Sequence, residues 1–285
     1  MLRDVAVAVF DLDGTLVLAD RAHAGFKALP GALEFIHTLA ARQVPFVILT
    51  NGTLLPPAQI ATRLRAIGFP VEDAQLVTPA TVAAEYFVRR GLTRILVLGG
   101  EGVLEPLAAA GLEPSLPRDR RADIDAVFVG WFRAFGIDDL EVACAAVWAG
   151  APVYTASLAP FYATAGGRAI GTSRAISAMI TSLTGRRAIV LGKPALQALG
   201  VAASRTGVEP RRMAVVGDDP DLEVPMAHRA GALAIAVHTG VGSASAFAAL
   251  PRPQRPHLSL GNMAELGRLY GAELPGRKRP RREPG

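Results

Sequence analysis

Short, continuously apolar runs recur along this chain and alternate with longer segments of mixed polarity. The runs are rich in Val, Ile and Ala, as is typical of strands buried on both faces of a parallel sheet. They cover residues 5–10, 44–50, 95–99, 126–130, 153–156, 188–192, 213–217 and 233–237. The intervening segments predict helices over 31–42, 57–67, 78–89, 102–110, 137–149, 173–184, 194–200 and 223–230. The alternation predicts an α/β fold with right-handed crossovers between parallel strands.

A second unit is predicted inside the first. Residues 82–185 carry strands and helices of their own, together with an irregular charged stretch at 113–123 that is interpreted as a surface loop. Candidate site residues stand on both sides of this unit. We therefore predict a core of residues 1–81 and 186–270, an inserted domain of residues 82–185, and a basic, disordered tail of residues 271–285.

The composition is that of a folded protein without disulfides. Of the 285 residues, 51% are hydrophobic and 19% are charged, which excludes an intrinsically disordered chain. The single cysteine, Cys144, excludes a disulfide framework and a multi-cysteine zinc site. It lies in a predicted helix and is expected to be a small, buried core residue. Trp131 and Trp148 are expected in the core of the inserted domain.

The basic charge is concentrated at the end of the chain. The formal net charge is +5, and residues 275–285 contribute +4 of it, from five Arg or Lys residues and one Glu. The remaining body is nearly neutral, so the charge does not favour nucleic-acid binding. No apolar run reaches the roughly 18 residues of a membrane span, and no signal peptide is recognisable at the N-terminus. The expected location is the cytoplasm.

Polar residues follow several predicted strands at their carboxyl ends. Open α/β sheets bind ligands at that edge, so these residues are expected to converge. They are Asp11, Asp13, Gly14 and Thr15 after the first run, Thr50, Asn51 and Gly52 after the second, Lys193 after 188–192, and Asp218, Asp219 and Asp221 after 213–217. Each group alone suits an ordinary turn or helix cap, but together they predict a functional site.

The chemistry of this set favours phosphoryl transfer. Clustered carboxylates repel one another unless a cation neutralises them, and oxygen-ligated Mg²⁺ suits such a cluster and also binds phosphate oxygens. One carboxylate can attack phosphorus, while a second carboxyl can transfer a proton to the leaving oxygen. A hydroxyl, backbone amides and an ammonium group can hold the phosphoryl oxygens.

The same residues carry a resemblance to a known family. The run Phe10-Asp11-Leu12-Asp13-Gly14-Thr15-Leu16 is similar to the first motif of the haloacid dehalogenase-like (HAD) phosphatase superfamily. Thr50-Asn51, Gly192-Lys193-Pro194 and Gly217-Asp218-Asp219 resemble its second, third and fourth motifs, in that order. The large insert between the second and third motifs is similar to class IIA, the nitrophenyl-phosphatase-like branch with a C2-type cap. The resemblance implies a Rossmann-like parallel-sheet core with an inserted α/β cap.

The resemblance also implies roles for the matched residues. Asp11 would be the nucleophile and a Mg²⁺ ligand, Asp13 the general acid and base that also touches the metal, and Asp218 a further metal ligand. Thr50, Asn51, Gly52 and Lys193 would bind the phosphoryl group, with Lys193 also offsetting negative charge during catalysis. The implied activity is hydrolysis of a small phosphorylated metabolite through an aspartyl-phosphate, and relatives often form homodimers through the cap.

The chain departs from the pattern of the family at several positions. Five residues after Asp218 the branch usually has a second Asp, where this chain has Glu223; Asp219 and Asp221 are nearby alternatives for the outer acidic position. In the cap, residues 156–158 read Ala-Ser-Leu where relatives often show Asn-Pro-Asp, and Phe132 stands where an Asp is common.

Several functional alternatives stay open. A dehalogenase would need neither Asp13 nor Asp218, and a binding or regulatory protein could keep the fold without the activity. Arg168 and Arg174 either meet a second anionic group on the substrate or are solvated surface residues.

Overall fold

The computed structural model describes residues 2–19, 25–164 and 167–273. The strands are β1 (Val7–Phe10), β2 (Val17–Ala19), β3 (Phe26–Ala28), β4 (Phe46–Leu49), β5 (Leu76–Val77), β6 (Arg94–Leu98), β7 (Glu113–Ser115), β8 (Ala126–Val129), β9 (Val153–Thr155), β10 (Phe161–Thr164), β11 (Gly167–Ile170), β12 (Ile189–Val190), β13 (Met213–Gly217), β14 (Leu233–Val237) and β15 (Leu258–Leu260). The helices are α1 (Ala32–Ala41), α2 (Pro57–Ala66), α3 (Pro79–Arg90), α4 (Glu101–Ala109), α5 (Ile137–Trp148), α6 (Thr172–Thr184), α7 (Leu196–Thr206), α8 (Glu223–Ala230), α9 (Ala244–Ala249) and α10 (Met263–Glu273). None of the helices in these ranges is long and apolar enough to span a membrane.

The first sheet has six parallel strands in the order β15-β14-β13-β1-β4-β5. Strand β1 lies between β13 and β4, with Phe10 opposite Val216 on one side and Ile48 on the other. All four residues of β1 are buried, as the continuous apolar run predicts. This register brings the residues after β1, β4 and β13 to the same edge of the sheet.

The second sheet has five parallel strands in the order β12-β9-β8-β6-β7. The predicted boundary at residue 186 assigns the strand before Lys193 to the first sheet. The structure corrects this, because Ile189 and Val190 of β12 pair with Tyr154 and Thr155 of β9. An apolar run shows that a strand is buried, but it does not show which sheet the strand joins.

One apolar cluster connects the two sheets. Val9 of β1, Phe87 of α3, and Val97 and Phe128 of the second sheet belong to the same buried core. A separate cluster containing Phe10 and Ile48 covers the other face of the first sheet. The inserted unit therefore shares a packed core with the first sheet through α3.

Two other predictions about the inserted unit are wrong. The stretch 113–123 is not entirely irregular, because β7 pairs with β6 at the edge of the second sheet. Trp148 is 67% exposed at the end of α5 rather than buried, whereas the predicted burial of Cys144 is confirmed.

The predicted end of the core at residue 270 is also too early, because α10 extends to Glu273. The rest of the predicted tail, from residue 274 onward, lies outside the described residues.

Candidate active site

Asp11 and Asp13 lie in the loop that leaves β1. The Asp11 backbone N–H donates to the carbonyl oxygen of Val216 at 2.8 Å, so the loop starts in register with β13. Gly14 has a φ of +93°, and a Cβ there would lie 2.5 Å from Asp218 Oδ2. A glycine is therefore needed for both the backbone conformation and the close approach of the two loops.

Lys193 connects two buried carboxylates. Its Nζ contacts Asp11 Oδ1 and lies 2.7 Å from Glu223 Oε1, and all three side chains are less than a tenth exposed. Burial lowers the pKa of Lys193, but the charges of Asp11 and Glu223 outweigh this effect and raise the pKa above its usual value. Lys193 is therefore a fixed cation beside Asp11.

Asp218 is held by loops from both neighbouring strands. Its Oδ1 accepts from the Thr15 hydroxyl at 3.3 Å, and its Oδ2 accepts from the Val241 N–H at 2.6 Å. The Thr239 hydroxyl donates to the Gly14 carbonyl at 2.6 Å, which ties the two loops together. Burial, with the charges of Asp11 and Glu223, raises the pKa of Asp218 well above its ordinary value.

Asp13 is half-buried, and its Oδ1 is shielded from solvent with no hydrogen-bond partner in the described part of the chain. Burial, followed by the charge of Asp11, raises the pKa of Asp13 to about 7. A buried carboxylate oxygen without a partner is costly, and a cation or a substrate proton would satisfy it.

The three candidates for the outer acidic position have different environments. Glu223 is buried, contacts Lys193 and accepts from the Asp219 N–H at 3.1 Å. Asp219 lines the same cleft as Asp11. Asp221 is exposed and does not line it. The longer side chain of Glu223 thus brings its carboxylate to Lys193.

The loop after β4 brings Thr50, Asn51 and Gly52 to the same edge. Thr50 is buried, and its Oγ1 accepts from the Gly52 N–H at 2.9 Å. The Asn51 side chain binds the backbone of Lys193 in both directions, because Oδ1 accepts from the Lys193 N–H at 2.8 Å and Nδ2 donates to its carbonyl at 3.0 Å. Nδ2 also lies 3.4 Å from Ser157 Oγ, which comes from the inserted unit.

We expect Asn51→Ala to lower both stability and activity. It removes two well-formed hydrogen bonds to the Lys193 backbone, a loss of about 2 kcal/mol in the free energy of unfolding. Release of that backbone would also move the ammonium group away from Asp11. Thermal unfolding and kcat measure the two effects. Ser157→Ala is the control: it removes the long contact with Asn51 and the bond from the Ala159 N–H, but it leaves both bonds to the Lys193 backbone and should cost less stability and less activity. A variant with unchanged stability and raised KM alone would contradict this interpretation.

These residues line a cleft with an empty volume of about 870 Å³, part of which is open to solvent. Its polar lining includes Asp11, Asp13, Thr50, Lys193 and Asp218. Its apolar and aromatic lining includes Leu54, Trp131, Phe161, Tyr162 and Leu222. Trp131 therefore belongs to the cleft, which corrects its expected place in the core, and nothing in its local sequence distinguishes it from a core tryptophan.

The donor set fits a hard divalent cation. Asp11 and Asp218 bring carboxylates to one edge of the sheet, and the loop that carries Asp13 lines the same cleft. Among the described residues, no three acidic, histidine or cysteine side chains converge into a closed metal cluster. Mg²⁺ does not require one, because it is commonly bound by one or two carboxylates together with substrate phosphate and water.

Two family models match separate ranges of the chain, and the first range extends into the inserted unit. A haloacid dehalogenase-like hydrolase model matches residues 8–113, and a HAD-hydrolase-like model matches residues 190–266. The first range contains Asp11, Asp13 and Thr50, and the second contains Lys193 and Asp218. The chain belongs to the haloacid dehalogenase-like hydrolase family. Similarity to the relatives below places it in the C2-capped branch of that family.

Three HAD relatives illustrate the similarity. Chronophin of Rattus norvegicus is 29% identical over 280 residues, which cover 94% of this chain and 88% of chronophin. A crystal structure of a 4-nitrophenylphosphatase from Thermotoga maritima matches with a TM-score of 0.84 and 28% identity, covering 94% of this chain and 98% of that chain. A glycerol phosphate phosphatase from Mycobacterium tuberculosis, solved in complex with magnesium, matches with a TM-score of 0.79 and 28% identity, covering 93% of this chain and 77% of that chain.

Proposed function

We propose that this chain is a Mg²⁺-dependent phosphatase that hydrolyses small phosphate monoesters through an aspartyl-phosphate on Asp11. The observation that carries the proposal is the meeting of Asp11, Asp13, Lys193 and Asp218 in one cleft, from segments far apart in the sequence. The names of two related proteins, a 4-nitrophenylphosphatase and a glycerol phosphate phosphatase, support the same reaction class.

In the first step, a carboxylate oxygen of Asp11 forms a bond to phosphorus while the bond from phosphorus to the ester oxygen breaks. The leaving oxygen takes the electron pair of that bond and a proton from the Asp13 carboxyl group. Asp13 stands two residues after Asp11 and has an oxygen without a hydrogen-bond partner, so it is available for this transfer. The products are an alcohol and the aspartyl-phosphate.

In the second step, water attacks the phosphorus of the aspartyl-phosphate. The Asp13 carboxylate accepts a proton from that water, and the bond from phosphorus to Asp11 breaks. Inorganic phosphate leaves and both carboxyl groups return to their starting states. Water supplies the oxygen and the protons, so no other reactant is required.

Lys193 and Thr50 orient and stabilise the phosphoryl group. The Lys193 ammonium group offsets the negative charge near Asp11, and the Thr50 hydroxyl lines the same cleft. Asp11, Asp218 and the backbone of Asp13 are the groups that would hold Mg²⁺. The bound cation would neutralise the carboxylates and the phosphate oxygens.

A panel of phosphate monoesters tests the function. Purified protein is expected to release inorganic phosphate from several small esters when Mg²⁺ is present. Absence of release from every ester, with any divalent metal, would favour a binding or regulatory role instead. The cytoplasmic location and the homodimer stay predictions from the sequence.

Addition of Mg²⁺ is expected to raise the melting temperature of the protein by about 5 °C or more at saturation, because binding stabilises only the folded state. Asp218→Asn should remove most of this shift. Asp221→Asn is the matched control, since Asp221 is exposed and outside the cleft, and it should keep the full shift. Equal shifts in the two variants would place the Mg²⁺ site elsewhere.

Asp13→Asn is expected to lower kcat by about 10²–10⁴-fold for esters of poor leaving groups, because their oxygen needs a proton as it departs. With 4-nitrophenyl phosphate, the rate of the phosphorylation step should fall less, because nitrophenolate leaves without a proton. Rapid-quench measurement of that step with both esters gives the comparison. The same loss for the two leaving groups would argue against Asp13 as the general acid.

A further inference from the structure

The aromatic part of the cleft comes from the inserted unit. Trp131 follows β8, and Phe161 and Tyr162 lie on β10, whereas Asp11, Thr50 and Asp218 follow strands of the first sheet. A substrate whose phosphoryl group lies beside Asp11 therefore places its leaving group against the side chains of the inserted unit.

Trp131 is fixed in position by its backbone. Its N–H donates to Thr53 Oγ1 at 2.8 Å, and Thr53 is buried in the loop that also carries Thr50. The preceding residue, Gly130, lies so close to Val103 and Thr53 that a Cβ would collide with Val103. The backbone of Trp131 is therefore held against the loop that follows β4, and the Trp131 side chain lines the cleft as an apolar surface.

Charge in the cleft is unfavourable for a second anionic group. Among the described lining residues Lys193 is the single cation, and it is already paired with Asp11 and Glu223. The acidic lining residues outnumber it, since Asp13, Asp218 and Asp219 also line the cleft. An additional carboxylate or phosphate would lose hydration without gaining a positive partner.

The two arginines near the cleft have other contacts. Arg168 lies over the Phe161 ring at 4.1 Å from its centroid, and Arg174 donates to the Leu158 carbonyl at 2.8 Å. Neither lines the cleft. Thr172 does line it, and its buried Oγ1 has no hydrogen-bond partner in the described part of the chain. It offers an uncharged hydroxyl to a leaving group.

We propose that the preferred substrates are phosphate monoesters with an uncharged, flat, apolar or aromatic leaving group that packs on Trp131, and that a second anionic group on the substrate is rejected. This inference rests on the proposed phosphatase function and specifies its substrate class. The residue that determines specificity is Trp131, through contact with the leaving group rather than with phosphorus.

A matched pair of esters tests the inference on the unmodified protein. Benzyl phosphate and its 4-carboxy derivative have the same reacting centre and differ by one negative charge. We expect kcat/KM for benzyl phosphate to exceed the value for the carboxylated ester by about tenfold or more, and to exceed the value for methyl phosphate by a similar factor. Equal values, or a preference for the carboxylated ester, would overturn the inference and leave the phosphatase function intact. Hydrolysis of no ester at all would overturn both.

Substitution of the two tryptophans identifies the contact. Trp131→Ala should reduce the preference for benzyl over methyl phosphate by about tenfold, mainly through KM, and Trp131→Phe should keep part of it. Trp148→Ala is the matched control, because Trp148 is exposed at the end of α5, and its kinetics should equal those of the unmodified protein. An unchanged preference in Trp131→Ala would show that the indole is not the contact surface.

Discussion

Asp11→Asn is expected to abolish phosphate release, with a loss in kcat of at least about 10⁴-fold. The amide has nearly the same shape as the carboxylate but cannot form the covalent bond to phosphorus. Asp11 also contacts Lys193, whose ammonium group offsets negative charge at the position where the phosphoryl group would be bound. Steady-state phosphate release over a range of enzyme concentrations measures the loss.

Acid quench with an ester that carries labelled phosphate tests the covalent step directly. Label should remain on the unmodified protein, and Asp11→Asn should carry none. Circular dichroism and thermal unfolding show whether the variant is folded, which is expected because Lys193 still contacts Glu223. An Asp11→Asn protein that keeps a tenth of the original kcat would exclude Asp11 as the nucleophile.

Lys193→Met is expected to cost both activity and stability. It leaves Asp11 and Glu223 as buried carboxylates without their cation, which typically lowers the free energy of unfolding by about 3–5 kcal/mol. Without the ammonium group, we also expect kcat to fall by about 10²–10³-fold. Thermal unfolding and phosphate release measure the two losses.

The loss of stability should depend on pH. Burial raises the pKa of Glu223 to about 7 even though Lys193 lowers it, so removal of Lys193 raises that pKa further. A carboxyl group with a raised pKa in the folded state destabilises the protein as pH rises through that pKa. The melting temperature of Lys193→Met should therefore be further below that of the unmodified protein at pH 8 than at pH 5. A difference independent of pH would contradict the buried ion pair.

A double variant separates the two roles of Lys193. In Lys193→Met with Glu223→Gln, one of the two buried carboxylates that lack a cation is replaced by a neutral amide. Much of the lost stability should therefore return. Activity should not return, because the cation beside Asp11 is still missing. Glu223→Gln alone completes the cycle and should keep most of its stability through the remaining contact of Lys193 with Asp11.

The apolar pattern was sufficient to predict most of the elements that carry the site. Strands β1, β4 and β13 occur where continuous apolar runs stand, and α8 has the predicted bounds of 223–230. The strands that were not predicted are short or lie at edges, such as the hairpin of β2 and β3, the two-residue β5, and β15, and the eleven-residue helix α10 was also not predicted. Such strands bury few residues, so their sequences carry little periodic signal.

The candidate site was predictable wherever its residues directly follow a buried strand. Asp11, Thr50 and Asp218 satisfy this rule, and the register of β1 with β4 and β13 brings them to one edge. The rule could not predict the loop at 239–242, whose Val241 N–H binds Asp218, because it contains no chemically distinctive side chain. It also could not predict the position of Trp131, because a large aromatic side chain is typical of a protein core, whereas this one lines the cleft.

The amino-acid sequence by itself determined the fold class, and it showed which strand ends carry acidic residues and which chemistry these residues favour. Each of these depends on short-range patterns of burial and charge. Only the tertiary structure decided which groups share an ion pair, which sheet β12 joins, and how Asn51 holds the backbone of Lys193. These contacts join residues as much as 182 positions apart in the chain. Local sequence carries no signal for such contacts, because they arise when separately specified elements pack around a common core.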